Sequence, residues 1–543
     1  MCATREAWIV TVSVGVVHAM KDQGFCRWGY AMRSINQHAK INMRSFLLQA
    51  QNLTSSSSAA VFDKMNSEKK NQPEESLRKQ KVQKNVSFMN NTPTLLISAL
   101  YCPQPPATPT PKLTDVNLLI PSGNKRKTSL ELVHKHGPCS HLPQHKVTAT
   151  NHTQILEQDQ ARVNSINSRI SKKLNGNDDL GQSEATTLPS RWATSRGAGN
   201  YIVTVGLGTP NKQLSLEFDT GSFLTWTQCQ PCVSYCYPQN DPIFDPAAST
   251  SYTKISCNSA ECAQLRRSQC LSTANTCLYQ VIYGDESYTI GFFSKDKLTL
   301  TPDDVFDGFL FGCGQENVGF QDGSAALLGL SRDKYSIVEQ TAEKYGRSFS
   351  YCLPPTASST GYLTFGSPTG ASNAAIKYTR LTTLSSSSTY YGLNLVGINV
   401  NGQKLSIPAS EFSSPGTIID SGTVISRLSP TAFSALRDAF QVEMKSYPSV
   451  PGDGFLDTCY DLSGYPTVTY PKIEFAFGDG VMLTLDATGI VYLADGTMKQ
   501  VCLAFVGNDD ADKVTIFGNT QQKNMEVLYD VAGERVGFAP GGC

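Results

Sequence analysis

The chain has 543 residues, more than one hydrophobic core usually serves, and no net formal charge. That balance hides a split: residues 1–186 hold 23 Lys and Arg against 13 Asp and Glu, and residues 187–543 hold 23 against 33. All seven histidines precede residue 153, which excludes Ser-His-Asp, Cys-His and His-ligated metal chemistry from the rest of the chain and leaves carboxylates to carry any catalysis there.

Residues 1–127 read as an N-terminal extension of signal-like and disordered composition, with no activity assigned. The apolar run 8–17 (WIVTVSVGVV) has the length of a signal-peptide core, but its flank MCATRE lacks net positive charge, and the run is too short to span a bilayer. Ser55–Ser58 and the polar stretch 64–84 have the composition of disorder, and 103–111 (PQPPATPTP) that of an extended linker. The basic stretch raises nucleic-acid binding. Against it stand Glu68, Glu74 and Glu75 and the lack of interleaved aromatics. Asn52, Asn85, Asn90 and Asn151 stand in glycosylation-type triplets.

Between 128 and 186, Val163, Ile166, Ile170 and Leu174 recur at spacings of 3, 4 and 4, which predicts a helix with one apolar face. Arg162, Arg169, Lys172 and Lys173 add positive charge beside it. A basic helix ahead of an acidic region reads either as a plain surface helix or as a removable electrostatic lid, and the position favours the lid.

From Tyr201 the texture changes to short β-type runs bounded by Gly, Pro and Ser, such as YIVTVGLGTP, LYQVIYGD, YYGLNLVGINVNGQ and KIEFAFGDG, which predicts an all-β architecture. Helical pieces are expected only at Ser336–Tyr345 and Pro430–Phe440, and Ser385–Ser388 reads as a connection between lobes. Within this region LEFDTGS (216–222) and TIIDSGT (417–423) rhyme, placing Asp219 and Asp420 201 positions apart. Each is followed by a second apolar-apolar-Gly signal, Leu327-Leu328-Gly329 and Ile516-Phe517-Gly518, at offsets of 110 and 98 residues. Four elements in register indicate a duplicated lobe, each copy giving one carboxylate to a shared site.

Sixteen cysteines divide into four early ones (Cys2, Cys26, Cys102, Cys139) and twelve after residue 228. An even, clustered dozen reads as six disulfides made in an oxidising compartment. A zinc site on Cys229, Cys232 and Cys236, with Cys257 or Cys262 as fourth ligand, is the rival, and spacing leaves the connectivity open.

With these motifs the chain resembles the pepsin-type aspartic endopeptidases, over roughly residues 128–543. It looks most like the plant nepenthesin-like branch that includes the chloroplast-nucleoid DNA-binding type. Trp226, YGDES at 283–287, the insert CQPCVSYC at 229–236 and VHKHGPCS at 133–140 carry the resemblance, while Phe223 and Glu286 depart from the family pattern. The resemblance implies a bilobal all-β fold with a cleft between pseudo-two-fold-related lobes. Its domains would be a propeptide at 128–198, an N-terminal lobe at 199–384 and a C-terminal lobe at 385–543.

Asp219 and Asp420 would be the catalytic pair, with Thr220 and Ser421 bracing the lobes and Ser222 and Thr423 orienting the carboxylates. Gly221 and Gly422 would allow close backbone approach, and Tyr283 would lie on a flap with its hydroxyl towards Trp226. Disulfides carried over by order are Cys229–Cys232, Cys236–Cys313, Cys257–Cys277, Cys262–Cys270, Cys352–Cys543 and Cys459–Cys502. The expected partners are flexible protein substrates and the chain's own propeptide, with no cofactor, no metal and no transmembrane segment, in a monomer. The secretory route to the cell exterior is favoured over vacuole or plastid. A catalytically silent binding protein on the same scaffold and a DNA-associated protease are the alternatives.

Overall fold

The computed structural model describes residues 128–135, 137–140, 142, 152–174, 201–283, 287–320, 323–366, 376–384, 387–452, 454–494, 496–541 and 543. The expectations for residues 1–127, for the glycosylation triplets and for Glu286 lie outside these.

The duplication read in the sequence becomes two equivalent strand pairs. Strand Lys212–Asp219 runs parallel to Ala326–Gly329, with Leu216 opposite Ala326 and Asp219 opposite Gly329. In the second lobe Thr417–Ile419 runs parallel to Thr515–Phe517, with Ile418 opposite Ile516. The paired stretches are buried in both lobes, although Lys212–Asp219 alternates Leu214, Leu216 and Phe218 with Ser215 and Glu217 where the other three strands are short, mostly apolar runs. Each strand delivers its aspartate at its C-terminal end, so the two carboxylates arrive on rigid, enclosed backbone.

Antiparallel strands join the lobes from below. Ser348–Cys352 pairs with Met525–Asp530, which pairs with Arg535–Pro540, which pairs with Lys377–Leu384. Phe349 stacks on Tyr529 at 4.5 Å, and Tyr391 meets Tyr529 edge-on at 4.5 Å, giving the floor of the cleft a packed aromatic centre. Ser129–His134, ahead of the lobes in sequence, is built into the same system as a strand between Thr360–Phe365 and Tyr201–Leu207. Lys135, just after this strand, pairs with Glu217, both buried.

Helix His152–Leu174 bears out the apolar face. Val163, Ile166 and Ile170 are buried against Leu384, Tyr390, Ile418, Val514 and Ile516, and Leu156 joins a second cluster with Val424, Ile425 and Leu456. The side chains of Lys172, Lys173 and Leu174 lie outside the described residues. Pro430–Glu443 begins where the sequence places it, with Pro430 in the first turn and Ser429 capping the N–H of Ala432. Ser336–Tyr345 is two short helices, Ile337–Gln340 and Ala342–Tyr345. Strands Lys377–Leu384 and Ser387–Leu393, which flank the expected lobe connection, pair with each other at Leu384 and Ser387.

Cys352–Cys543 and Cys459–Cys502 are bridged as expected. The other four expected bridges are corrected. Cys229 pairs with Cys313 and Cys232 with Cys236, in place of Cys229–Cys232 and Cys236–Cys313. The cause is strand register: Trp226–Gln228 lies parallel to the strand carrying Cys313, and the N–H of Cys229 donates to Gly314 O at 2.7 Å. That sets two fully buried sulfurs side by side and leaves the loop cysteines to each other. Cys257 pairs with Cys270 and Cys262 with Cys277, in place of Cys257–Cys277 and Cys262–Cys270. Burial sorts them. Cys262 and Cys277 face the core, whereas Cys270 is exposed and Cys257 half-exposed. With Cys229, Cys232, Cys236, Cys257 and Cys262 all bridged, no thiolate in that set is left to ligate zinc.

Candidate active site

The two aspartates meet at the base of the cleft, 1% and 0% exposed. Around Asp219, the N–H of Gly221 donates to Oδ1 at 2.8 Å and Ser222 Oγ donates to Oδ2 at 2.5 Å. Around Asp420, the N–H of Gly422 donates to Oδ1 at 3.3 Å and Thr423 Oγ1 to Oδ2 at 2.6 Å. The two loops are thus copies in geometry as well as sequence. Glycine is required at both turns: a Cβ on Gly221 would stand 2.8 Å from Asp420 Oδ1, and one on Gly422 2.6 Å from Asp219 Oδ1.

A reciprocal pair locks the loops together. Thr220 N–H donates to Ser421 Oγ at 3.0 Å, and Ser421 N–H donates to Thr220 Oγ1 at 2.9 Å. Below, the amide of Gln522 donates to Phe517 O, and Tyr391 Oη donates to Leu330 O.

Trp226, fully buried, donates its indole N–H to Tyr283 Oη at 2.7 Å. Tyr283 stands at the end of the hairpin strand Thr276–Ile282, and its N–H donates to Ser287 O across the tip. Phe320 packs edge-on against Tyr283 at 5.5 Å and lies 5.0 Å from Trp226, an aromatic wall absent from the sequence reading. Burial, with the charge of Asp219, pushes the Tyr283 phenol above its usual range, so it stays a neutral hydrogen-bonding group. Phe223 lies 5.2 Å under the Arg266 guanidinium.

Arg162 of helix His152–Leu174 occupies the space between the aspartates. Its Nη2 stands 2.7 Å from Asp219 Oδ1 and 3.0 Å from Asp420 Oδ1; Nη1 donates to Asp219 Oδ2 at 3.1 Å and Nε to Asp420 Oδ2 at 3.0 Å. Burial by itself would raise Asp219. The charge of Arg162 and its hydrogen bonds, aided by Ser222 and the Gly221 N–H, outweigh that and hold the carboxyl below the usual range. One turn earlier, Asp159 is fully buried and accepts from the N–H groups of Val424 and Ile425. Arg169 donates to Ile282 O and to Tyr390 Oη, tying the helix to the hairpin that carries Tyr283.

The lobes match two halves of one family description: residues 201–367 match "Xylanase inhibitor N-terminal" and residues 390–540 "Xylanase inhibitor C-terminal". An aspartyl protease family protein of Arabidopsis thaliana is 52% identical over 431 residues, covering 78% of this chain and 90% of the relative. The chain belongs to the pepsin-like aspartic proteases.

Nepenthesin-2, an aspartic proteinase of Nepenthes gracilis, is 35% identical over 64% of this chain and 78% of its own. The crystal structure of edgp shares the fold, with a TM-score of 0.54 at 19% identity, over 65% of this chain and 96% of that one. As an aspartic protease the chain hydrolyses peptide bonds. Among the described residues, no His, Cys, Asp and Glu group is placed to hold a metal, and no helix is long and apolar enough to cross a membrane.

Besides Phe320, two residues at the site of this aspartic protease escaped the sequence. Arg162 was one of four basic residues on or near the helix, with nothing to single it out, and Asp159 looked like an ordinary helical acid. Residues 10–80 also match a family described as "Wound-induced protein", a relationship that composition did not reveal.

Proposed function

We propose that Asp219 and Asp420 are the water-activating pair, and that residues 128–198 are a propeptide whose Arg162 locks it. The carrying observation is that a single guanidinium, delivered by a helix ahead of the lobes, hydrogen-bonds both carboxylates at once.

Once the helix leaves, two adjacent buried carboxylates cannot both ionise, so at acidic pH the pair shares one proton, which belongs to the pair rather than to either residue. The ionised partner takes a proton from a water held between them as that water attacks the peptide carbonyl. The protonated partner hydrogen-bonds the carbonyl oxygen as charge develops. Ser222 and Thr423 fix the outer oxygens, so the inner ones face the water. The aromatic wall of Tyr283, Trp226 and Phe320 favours an extended substrate with bulky apolar side chains, bound in the cleft by its main chain.

Similarity to nepenthesin-2 and the cysteine-rich insert support the nepenthesin-like branch. The six disulfides among the described residues support folding in an oxidising compartment, and hence the secretory route to the exterior, with vacuole or plastid as alternatives. The family description naming xylanase inhibitors favours a second reading, a silent binding protein. A complete pair of hydroxyl-braced aspartates, sealed by its own arginine, supports retained chemistry instead. Acidifying full-length protein and following casein digestion between about pH 3 and 7 tests this: activity should appear only in acid, with release of the segment ahead of residue 199, and should be blocked by a statine-type mimic. Absence of acid proteolysis by the matured lobes would refute it.

A further inference from the structure

Asp159 sits in a receptor built for a carboxylate. Its Oδ1 accepts from Val424 N–H at 2.6 Å, its Oδ2 from Ile425 N–H at 3.1 Å, and Oδ2 lies 3.0 Å from Arg427 Nη2. Arg427 is 1% exposed and belongs to the strand Ser426–Leu428, immediately after the Asp420 loop. Its Nη1 donates to Ile425 O at 2.7 Å, and Nη2 also reaches Gln160 Oε1 at 3.3 Å. The strand is rigidly held: Gln521 accepts from both N–H and Oγ of Ser426, and Phe505–Gly507 runs parallel alongside.

Among the described residues Asp159 is the only carboxylate paired with Arg427. Departure of the helix therefore removes Asp159 and Gln160 together, leaving a guanidinium and two backbone N–H groups converging on vacated space. All three are donors, and a guanidinium cannot accept, so an apolar or cationic side chain would leave them unpaired. A carboxylate satisfies all three, as Asp159 does in the closed form.

We propose that Arg427, with the N–H groups of Val424 and Ile425, forms a substrate subsite that receives the side-chain carboxylate of an Asp or Glu. Asp159 is the propeptide's mimic of that residue. The location follows from the helix: Asp159 and Arg162 are three residues apart, about 4.5 Å along its axis. An extended substrate advances about 3.3 Å per residue, so the acidic residue falls within about two positions of the scissile bond. The subsite rests on the reading that Asp219 and Asp420 are the catalytic pair and that the helix leaves on maturation. It adds a charge preference to a cleft otherwise walled by aromatic and aliphatic side chains.

The test uses matured enzyme and a fluorogenic peptide series at about pH 5, where peptide carboxylates are ionised. Asp, Asn or Ala is placed at each of the two positions on either side of the cleaved bond. At one position, the Asp peptide should exceed its Asn counterpart by about tenfold or more in kcat/KM, mostly through KM. Arg427→Gln should bring the two peptides to within about twofold of each other, and Arg427→Lys should retain part of the preference. Equal rates for Asp and Asn peptides at every position in the unaltered enzyme would overturn the subsite without any variant. So would a preference that survives Arg427→Gln. If no peptide is cleaved, neutral ones included, the catalytic reading itself fails, and the subsite with it.

Discussion

Replacing Arg162 with Met removes the lock while keeping most of the buried stem. The lost guanidinium makes four hydrogen bonds of 2.7–3.1 Å to two carboxylates that are almost wholly buried. Removing one partner of such a pair costs about 3–5 kcal/mol. The freed carboxylates relax by sharing a proton, so the lower end applies: about 3 kcal/mol, or about a hundredfold weaker closure. A statine-type inhibitor competes with the helix for the same space, so its apparent Kd in uncleaved protein reports the open fraction.

At about pH 6.5, where unperturbed carboxyls are ionised, Arg162→Met should bind the inhibitor about a hundredfold tighter than the unaltered chain. The gap should narrow in acid. Asp219 is depressed in the closed form, so its contribution to closure is complete above the ordinary carboxylate range and is lost as pH falls towards the depressed value. Asp159 has the opposite sign. Burial pushes it up against the pull of Arg427 and the two N–H groups, so the closed form takes up a proton there and acid does not open it through that residue. Acid opening therefore belongs to the pair at Asp219: it begins as the freed pair takes up its shared proton and is complete as pH falls towards the depressed value of the closed form. Equal inhibitor affinities for the two proteins at pH 6.5, or superimposable pH profiles, would refute the lock.

Asp219→Asn or Asp420→Asn should each lower proteolysis by about 10²–10⁴-fold or more with the thermal unfolding of the matured lobes little changed, because Asn keeps the shape but not the acid; more than about one per cent residual activity would refute the pairing. Trp226→Phe loses the hydrogen bond to Tyr283 Oη, worth about 1 kcal/mol, and should lower kcat/KM about fivefold. Thr220→Val and Ser421→Ala remove the hydroxyls of one reciprocal brace, so a double-mutant cycle in urea should show coupling of at least about 0.5 kcal/mol. Because the ion pairs holding the helix are buried, raising salt from about 0.1 to 0.5 M should change closure less than about threefold. A steep salt dependence would instead favour the diffuse attraction of a basic segment for an acidic one.

The periodicity of Val163, Ile166 and Ile170 was enough to foretell a helix with one buried face, because a 3.6-residue repeat has only one way to bury such a stripe. The paired motifs around Asp219 and Asp420 likewise declared two lobes and one shared carboxylate site, since each turn's glycine and hydroxyl are local requirements of the loop. Pro430 after Ser429 marked a helix start for the same local reason. What depends on position across the fold stayed hidden. Four disulfide partners were decided by which sulfurs faced the core and by the register that brings Cys229 beside Cys313, neither of which spacing encodes. Arg162 and Arg169 are alike in sequence; only the way the helix lies across the cleft sends one between the aspartates and the other to the hairpin. Asp159 and Arg427 are 268 residues apart, and nothing in their neighbours foretells a buried ion pair. Local chemistry is written in adjacent residues, whereas a contact between distant ones exists only after the lobes and the helix have packed.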